Sequence, residues 1–260
     1  MKKFADMEAF SHVFQCSMSE LADSANPVTA LRGKWHQQVF HNTHPIVLEL
    51  GCGHGEYTVG LAERYPDKNF IGIDIKGARM WAGARQSHEK DMKNVAFLRT
   101  NIEMITHFFA PDEVAEIWIT FPDPQMKKAT KRLTSTFFMA RYVQLLVPGG
   151  EIHLKTDSPF LYTYTREMLR LNEYEVLADT DDLYAMRPAD SSLQLDEARA
   201  LRTHYEHQWL DRGMTIKYLS WRLVAKDVLS EPDIDIEKDT YRSYGRNYTP
   251  TFNSKLSTSN

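Results

Sequence analysis

From residue 46 onward the chain alternates short apolar runs with longer amphipathic ones. The apolar runs at 46–50, 69–73, 95–99, 115–121 and 150–156 predict strands, and between them 57–65, 76–90, 104–109 and 134–147 carry apolar side chains at helical spacing. Such alternation is the mark of βαβ units and a mostly parallel sheet. Pro66-Asp67 and Pro148-Gly149-Gly150 supply stops. Asp157-Ser158-Pro159 predicts a helix start, with a side-chain cap and a proline in the first turn, opening a helix over 160–171. Two further runs, 176–178 and 214–224, bring the strand candidates to seven, and the Asp- and Ala-rich stretch between them predicts loop and helix approaching a substrate. The polar, turn-rich stretch 231–260 predicts a tail or an arm laid over the domain. The expected organisation is an N-terminal extension over 1–44, one α/β domain over 45–225, and the tail or arm over 226–260.

Composition narrows this only modestly. With 260 residues, 25% of them charged, the chain suits one sizeable α/β domain and argues against disorder. No apolar stretch is long enough to span a bilayer, and the first residues lack the apolar core of a secretory signal, so a cytoplasmic protein is expected. Its two cysteines are Cys16 and Cys52; a disulfide at Cys52, inside a glycine turn, would obstruct a ligand, so a reducing compartment fits. A net charge of −4 requires any affinity for nucleic acid to come from a local patch. Oligomeric state is left between monomer and homodimer.

The turn itself, Glu49-Leu50-Gly51-Cys52-Gly53-His54-Gly55, follows the first strand and leads into a helix. Glycines there let backbone approach a ligand at the carboxyl ends of the strands, where doubly wound sheets bind. A dinucleotide would place its pyrophosphate at the helix N-terminus, yet Glu56 follows Gly55 directly and sets a carboxylate there. The nucleoside-triphosphate pattern is absent. S-adenosylmethionine, with no phosphate and two positive groups, is compatible with acids such as Glu49. Asp74, about twenty residues after the turn, is placed to accept both ribose hydroxyls. Asn101, after the third strand, can accept from an adenine amino group and donate to a ring nitrogen.

A second element is Phe121-Pro122-Asp123-Pro124, where two prolines fix an acid at the end of the fourth strand. Lys127, Lys128, Lys131 and Arg132 follow as a basic patch, pointing to a nucleic-acid substrate.

Together with Lys155-Thr156-Asp157 and Thr203-His204-Tyr205-Glu206, these segments closely resemble the bacterial tRNA (guanine-N7)-methyltransferase family over about 46–223. The resemblance implies a Rossmann-like class I methyltransferase fold, with a mostly parallel seven-stranded sheet and helices on both faces. It implies transfer of a methyl group from S-adenosylmethionine to N7 of guanine 46 in the tRNA variable loop. It places Glu49, Gly51, Gly53, Asp74, Asn101 and Asp123 at the cofactor, Asp123 also as the catalytic acid, and Lys127, Asp157, Thr203 and Glu206 at the substrate. Two departures concern the tRNA grip: Gln125 stands where the family commonly has Trp, and the basic run is shortened to Ala129-Thr130-Lys131-Arg132.

The competing readings are a methyltransferase acting on another RNA position or on a small molecule, a catalytically silent RNA-binding module, and a nicotinamide-dependent oxidoreductase. His41 and His44 lack ligand-spaced partners and read as solvent-facing, so no metal is expected. Tyr241, Tyr244 and Tyr248 alternate with Arg242 and Arg246, a mixture found on single-strand RNA binders, but here a packed or loose tail is expected. Trp81, Trp118 and Trp221 are expected in the core.

Overall fold

The computed structural model describes residues 2–22, 26–185 and 192–240. At its centre β2 (Ile46–Leu50) is flanked by β3 (Asn69–Asp74) and β5 (Val114–Thr120), all parallel. Outward on one side lie β4 (Val95–Arg99) and β1 (Val13–Gln15); on the other lie β6 (Leu146–Thr156), β8 (Lys217–Arg222) and β7 (Val176–Thr180). The last two pairings, β6 with β8 and β8 with β7, are antiparallel.

The sheet therefore has eight strands, one more than the hydrophobic pattern predicts. The addition is β1, whose Val13 to Gln15 pair with Phe97 to Arg99 of β4. Three residues are too few to show alternation, so only the exposed edge of β4 specifies this strand. The described residues of this N-terminal stretch thus join the fold. Helix α1 (Lys2–Ala9) lies against α3 (Gly77–Glu89). Trp35 is fully buried and donates its indole N–H to the Phe108 carbonyl at 2.8 Å.

Alternation along β2 explains how the core divides. Ile46, Leu48 and Leu50 enter the hydrophobic layer on one face, and Val47 enters the layer on the other. Glu49 shares Val47's face by period two and meets helix α2 (Glu56–Arg64) there. Trp118 and Trp221 are buried as expected, whereas Trp81 is half-buried and donates its indole N–H to Asp6 of α1 at 2.9 Å.

Element boundaries shift where turns and strands compete. The predicted helix over 134–147 shortens to α4 (Thr136–Tyr142), because Leu146 is claimed by pairing with Val114 and β6 runs on through Pro148-Gly149-Gly150. The segment predicted at 104–109 is a 3₁₀-helix, Ile102–His107. Helix α5 (Pro159–Leu171) begins as the sequence indicates, with the Ser158 side chain accepting from Leu161 N–H at 2.9 Å. The stretch between β7 and β8 holds α6 (Leu193–Ala200) and α7 (His204–Asp211).

The described part of the C-terminal segment lies over the domain as an arm. Glu231 accepts from the Thr136 hydroxyl at 2.6 Å, and Asp239 accepts from Ser158 Oγ and from Phe160 N–H, the latter at 3.1 Å. Tyr241, Arg242, Tyr244, Arg246 and Tyr248 lie outside the described residues.

Candidate functional site

A cleft of about 340 Å³ opens at the carboxyl ends of β2, β3 and β5, lined among others by Glu49, Gly53, Asp74, Asp123 and Thr203. Its floor is the glycine turn. Gly51, Gly53 and Gly55 have φ of +76°, +54° and +74°, a region open to glycine and strained for other residues. Gly55 is also sterically required: a Cβ there would stand 2.7 Å from the Phe97 ring.

The turn's own polar groups are occupied. Gly51 and Cys52 donate to the Ile73 carbonyl at 2.8 and 3.1 Å, Gly53 donates to Asp74 Oδ2 at 2.9 Å, and Gly55 donates to the Cys52 carbonyl at 2.7 Å. A phosphate-binding nest needs such N–H groups aimed outward. Here they are turned inward.

Glu49 is buried. It accepts from Thr58 N–H at 2.8 Å, from the Thr58 hydroxyl, and from the Thr120 hydroxyl at 2.7 Å. Burial pushes its carboxyl up to about 7, with the three hydrogen bonds opposing and the charge of Asp74 adding. Asp74 also accepts from Lys76 N–H at 2.8 Å, so both its oxygens hold backbone. Cys52 is buried in the turn, its thiol pushed well up by burial and by the acids Glu49 and Asp74; both it and Cys16 are free.

Asn101 caps the 3₁₀-helix, its Oδ1 accepting from Glu103 N–H at 3.2 Å. It lines a neighbouring cavity of about 440 Å³ that shares Asp74 and Ile75 with the main cleft. Asp123 is exposed on the opposite wall, and its Oδ1 accepts from Gln125 N–H at 2.9 Å. Phe121 and Gln125 bracket it with φ of +49° and +47°.

The basic patch splits in two. Arg132 is buried: it donates to the carbonyls of Pro124 and Gln125 at 3.1 Å each, with its guanidinium 3.9 Å from the Tyr164 ring centre. It braces the Phe-Pro-Asp-Pro loop, correcting its place in an exposed patch. Lys131 is paired with Glu103, and Lys127 and Lys128 project from the surface.

The remaining expected substrate residues are less open. Asp157 is fully buried just past β6 and lies outside the cleft lining. Thr203 lines the cleft and caps α7, its hydroxyl accepting from Glu206 N–H at 3.2 Å while Glu206 accepts from Thr203 N–H at 3.3 Å. Glu206 is fully buried and ion-paired to Lys155 at 2.8 Å, so its carboxylate faces the interior.

Sequence reasoning missed Thr58 and Thr120, which hold Glu49, and the His54–Tyr205 pair, stacked at 5.9 Å on the cleft lining. Period two on β5 and helical spacing on α2 put both threonines within reach of Glu49, the one signal available. His54–Tyr205 joins segments 151 residues apart and leaves none. Glu56 accepts from His204 N–H at 2.9 Å, so the acid that argues against a pyrophosphate anchors α7.

Among the described residues no group of three or more His, Cys, Asp and Glu is arranged to hold a metal ion, and no helix is long and apolar enough to cross a membrane.

Comparison with known proteins identifies the family. Residues 43–219 match the family described as "Putative methyltransferase". The chain is 57% identical over 246 residues to a tRNA (guanine-N(7)-)-methyltransferase of Bacteroides thetaiotaomicron, covering 95% of this chain and 94% of that protein. It is 59% identical over 241 residues to the enzyme so named in Porphyromonas gingivalis, covering 92% and 96%. In fold it is similar to the crystal structure of the 16S rRNA methyltransferase KamB, with a TM-score of 0.55 at 13% identity over 73% of this chain and 92% of that one. The chain belongs to the tRNA (guanine-N(7)-)-methyltransferase family.

Proposed function

We propose that this protein methylates N7 of guanine 46 in the tRNA variable loop, with S-adenosylmethionine as donor. The observation that carries the donor assignment is the inward-turned glycine bend beside Glu49 and Asp74. Four of its N–H groups are satisfied internally, which disfavours a phosphate ligand, while the two acids suit a cationic one. Gly51 and Gly53 give the close approach, Asp74 takes the ribose hydroxyls, Glu49 lends negative charge, and Asn101 recognises the adenine from the adjoining cavity. When bound, the donor supplies a methyl group on a sulfonium, open to in-line displacement.

Guanine N7 carries a lone pair and no proton, so the chain needs no base to expose it. Positioning is then the main task, and near-attack alignment can supply about 7–11 kcal/mol of the barrier, more than one acid–base group usually contributes. Methylation moves positive charge onto the purine. Asp123, across the cleft from Asp74, favours that charge more in the transition state than in the ground state. Its free acceptor capacity also suits guanine N1–H and the exocyclic amine.

On the substrate side Lys127 contacts phosphate and Thr203 meets the nucleotide at the cleft. Asp157 and Glu206, enclosed as they are, act through the shape of the site. A cytoplasmic location follows from the tRNA substrate. The test is incubation with labelled S-adenosylmethionine and unmodified tRNA transcript, then cleavage at methylated guanine. Label at guanine 46 is expected; label elsewhere, or none, rejects the assignment.

A further inference from the structure

Lys155 is fully buried on β6, between two residues that the sheet needs for pairing with β8. Its ammonium donates to the carbonyls of Ala198 and Leu201 at 2.6 and 2.8 Å, reaches the Tyr184 hydroxyl at 3.4 Å, and pairs with Glu206 Oε1 at 2.8 Å. Ala198 lies in the last turn of α6 and Leu201 is its C-cap, so the lysine satisfies carbonyls that a helix end leaves unpaired. Glu206 meanwhile closes the capping box of α7. One cation therefore holds both ends of the elbow over 201–203. Leu201 packs on Gly60 of α2, where a Cβ would come within 2.9 Å. Thr203 and Tyr205, just beyond the elbow, line the cleft.

An apolar side chain could fill the same space without the cost of burying an ammonium. What the charge adds is direction: four partners from three segments converge on one atom and tie the elbow to the sheet.

We propose that Lys155 is a positioning residue for the nucleic-acid substrate, setting Thr203 and Tyr205 at the cleft mouth by tying the end of α6 and the start of α7 to the sheet. This rests on the reading of the cleft as a tRNA methylation site. Glu206 then serves tRNA through Lys155, which accounts for a carboxylate that faces the interior. The groups facing the ammonium are Glu206 from α7, Tyr184 beyond β7, the Tyr57 ring from α2 at 5.5 Å, and Arg202 in the elbow. Burial pushes Lys155 down to about 8, Glu206 opposing and Arg202 adding, so the latch loses its charge in the mildly alkaline range.

The experiment is Lys155→Met in the full chain, read three ways. KM for tRNA is expected to rise at least about tenfold, with kcat and calorimetric S-adenosylmethionine affinity each within about threefold of the parent. Amide hydrogen exchange is expected to quicken over 193–211 and to stay unchanged over 46–60. In the parent protein KM for tRNA should climb as pH passes about 8, and in the variant it should not. An unchanged KM with only a lowered melting temperature overturns the proposal, as does equal loss of donor and tRNA binding. Should Lys155→Met fail to fold, Glu206→Gln keeps the packing and the cap and is expected to raise KM for tRNA severalfold; an unchanged KM there overturns the proposal too. Exchange over 193–211 scores the latch even if the parent protein proves not to methylate guanine N7, so the two readings fail separately.

Discussion

The backbone N–H of Gly53 donates to Oδ2 of Asp74 at 2.9 Å, joining the glycine turn to the end of the neighbouring strand. Asp74 thereby fixes the bend and faces the cleft with the same carboxylate, while its other oxygen holds Lys76 N–H. Cleft floor and cleft acid form one unit.

Asp74→Ala should therefore lose twice, leaving two N–H groups without acceptors and removing the proposed ribose partner. S-adenosylmethionine affinity measured by calorimetry is expected to fall at least about tenfold, equivalent to about 1.4 kcal/mol or more. Asp74→Asn keeps one acceptor and should recover stability before affinity. Parent-like donor binding by Asp74→Ala would take the residue out of the site.

Gly55 and Gly213 separate sterics from backbone conformation. Both have positive φ, +74° and +73°, but a Cβ on Gly55 meets the Phe97 ring at 2.7 Å whereas one on Gly213 meets nothing within 4 Å. Gly213→Ala should cost about 1 kcal/mol, the conformational penalty alone. Gly55→Ala adds overpacking and should cost roughly 2–4 kcal/mol in urea denaturation. Equal losses would show that the Phe97 contact is relieved by a small shift.

The central sheet was readable because β2, β3, β4 and β5 are nearly continuous apolar runs, buried on both faces, and such runs stand out from amphipathic helices. The chain's ends were less readable. Three-residue β1 is specified by the open edge of β4, and α4 gives way to β6 because Leu146 finds Val114, a choice made by tertiary pairing. The acids and glycines that line the cleft stand out in the sequence because their types and spacing are dictated by local chemistry. Arg132 is illegible for the opposite reason: a cation in a basic run looks exposed until the Tyr164 ring and two carbonyls close around it. That Glu206 faces the interior is not legible either, because its partner, Lys155, lies 51 residues away in the chain.

Asp123→Ala should keep the fold, since the residue is exposed and accepts only from Gln125 N–H among the described residues. Single-turnover methylation is expected to slow by about 100-fold, the scale of losing one preorganised electrostatic contact. Asp123→Asn retains an acceptor for Gln125 and so separates loop shape from charge: a slow Asn variant assigns the effect to the carboxylate. Near-normal single turnover by the Ala variant discards the catalytic role.

Lys127 projects from the surface next to the Asp123 loop, while Lys131 and Arg132 are committed to Glu103 and to the loop carbonyls. The proposed electrostatic grip on tRNA at this wall would thus fall to Lys127 and Lys128. For Lys127→Ala, the slope of log affinity for tRNA against log salt is expected to shrink by about one unit, with donor affinity unchanged. A slope equal to the parent's removes the contact.

Glu49 makes stability depend on pH with a definite sign. Its carboxyl is raised from 4.5 to about 7 by burial, so the folded chain keeps a proton that the unfolded chain releases near 4.5. The resulting stability is fully present below about 4.5, declines as pH rises, and is gone above about 7, a change of about 3 kcal/mol. Glu49→Gln cannot titrate, so the difference in urea stability between parent and variant should vary between pH 5 and pH 8 by about that amount, moving in the variant's favour. Donor affinity should run the other way: a cationic ligand beside Glu49 favours the carboxylate, so binding by the parent strengthens as pH rises through about 7, and Glu49→Gln flattens that rise. A parent–variant stability difference that is constant across this range would mean that Glu49 ionises in the fold as it does in water.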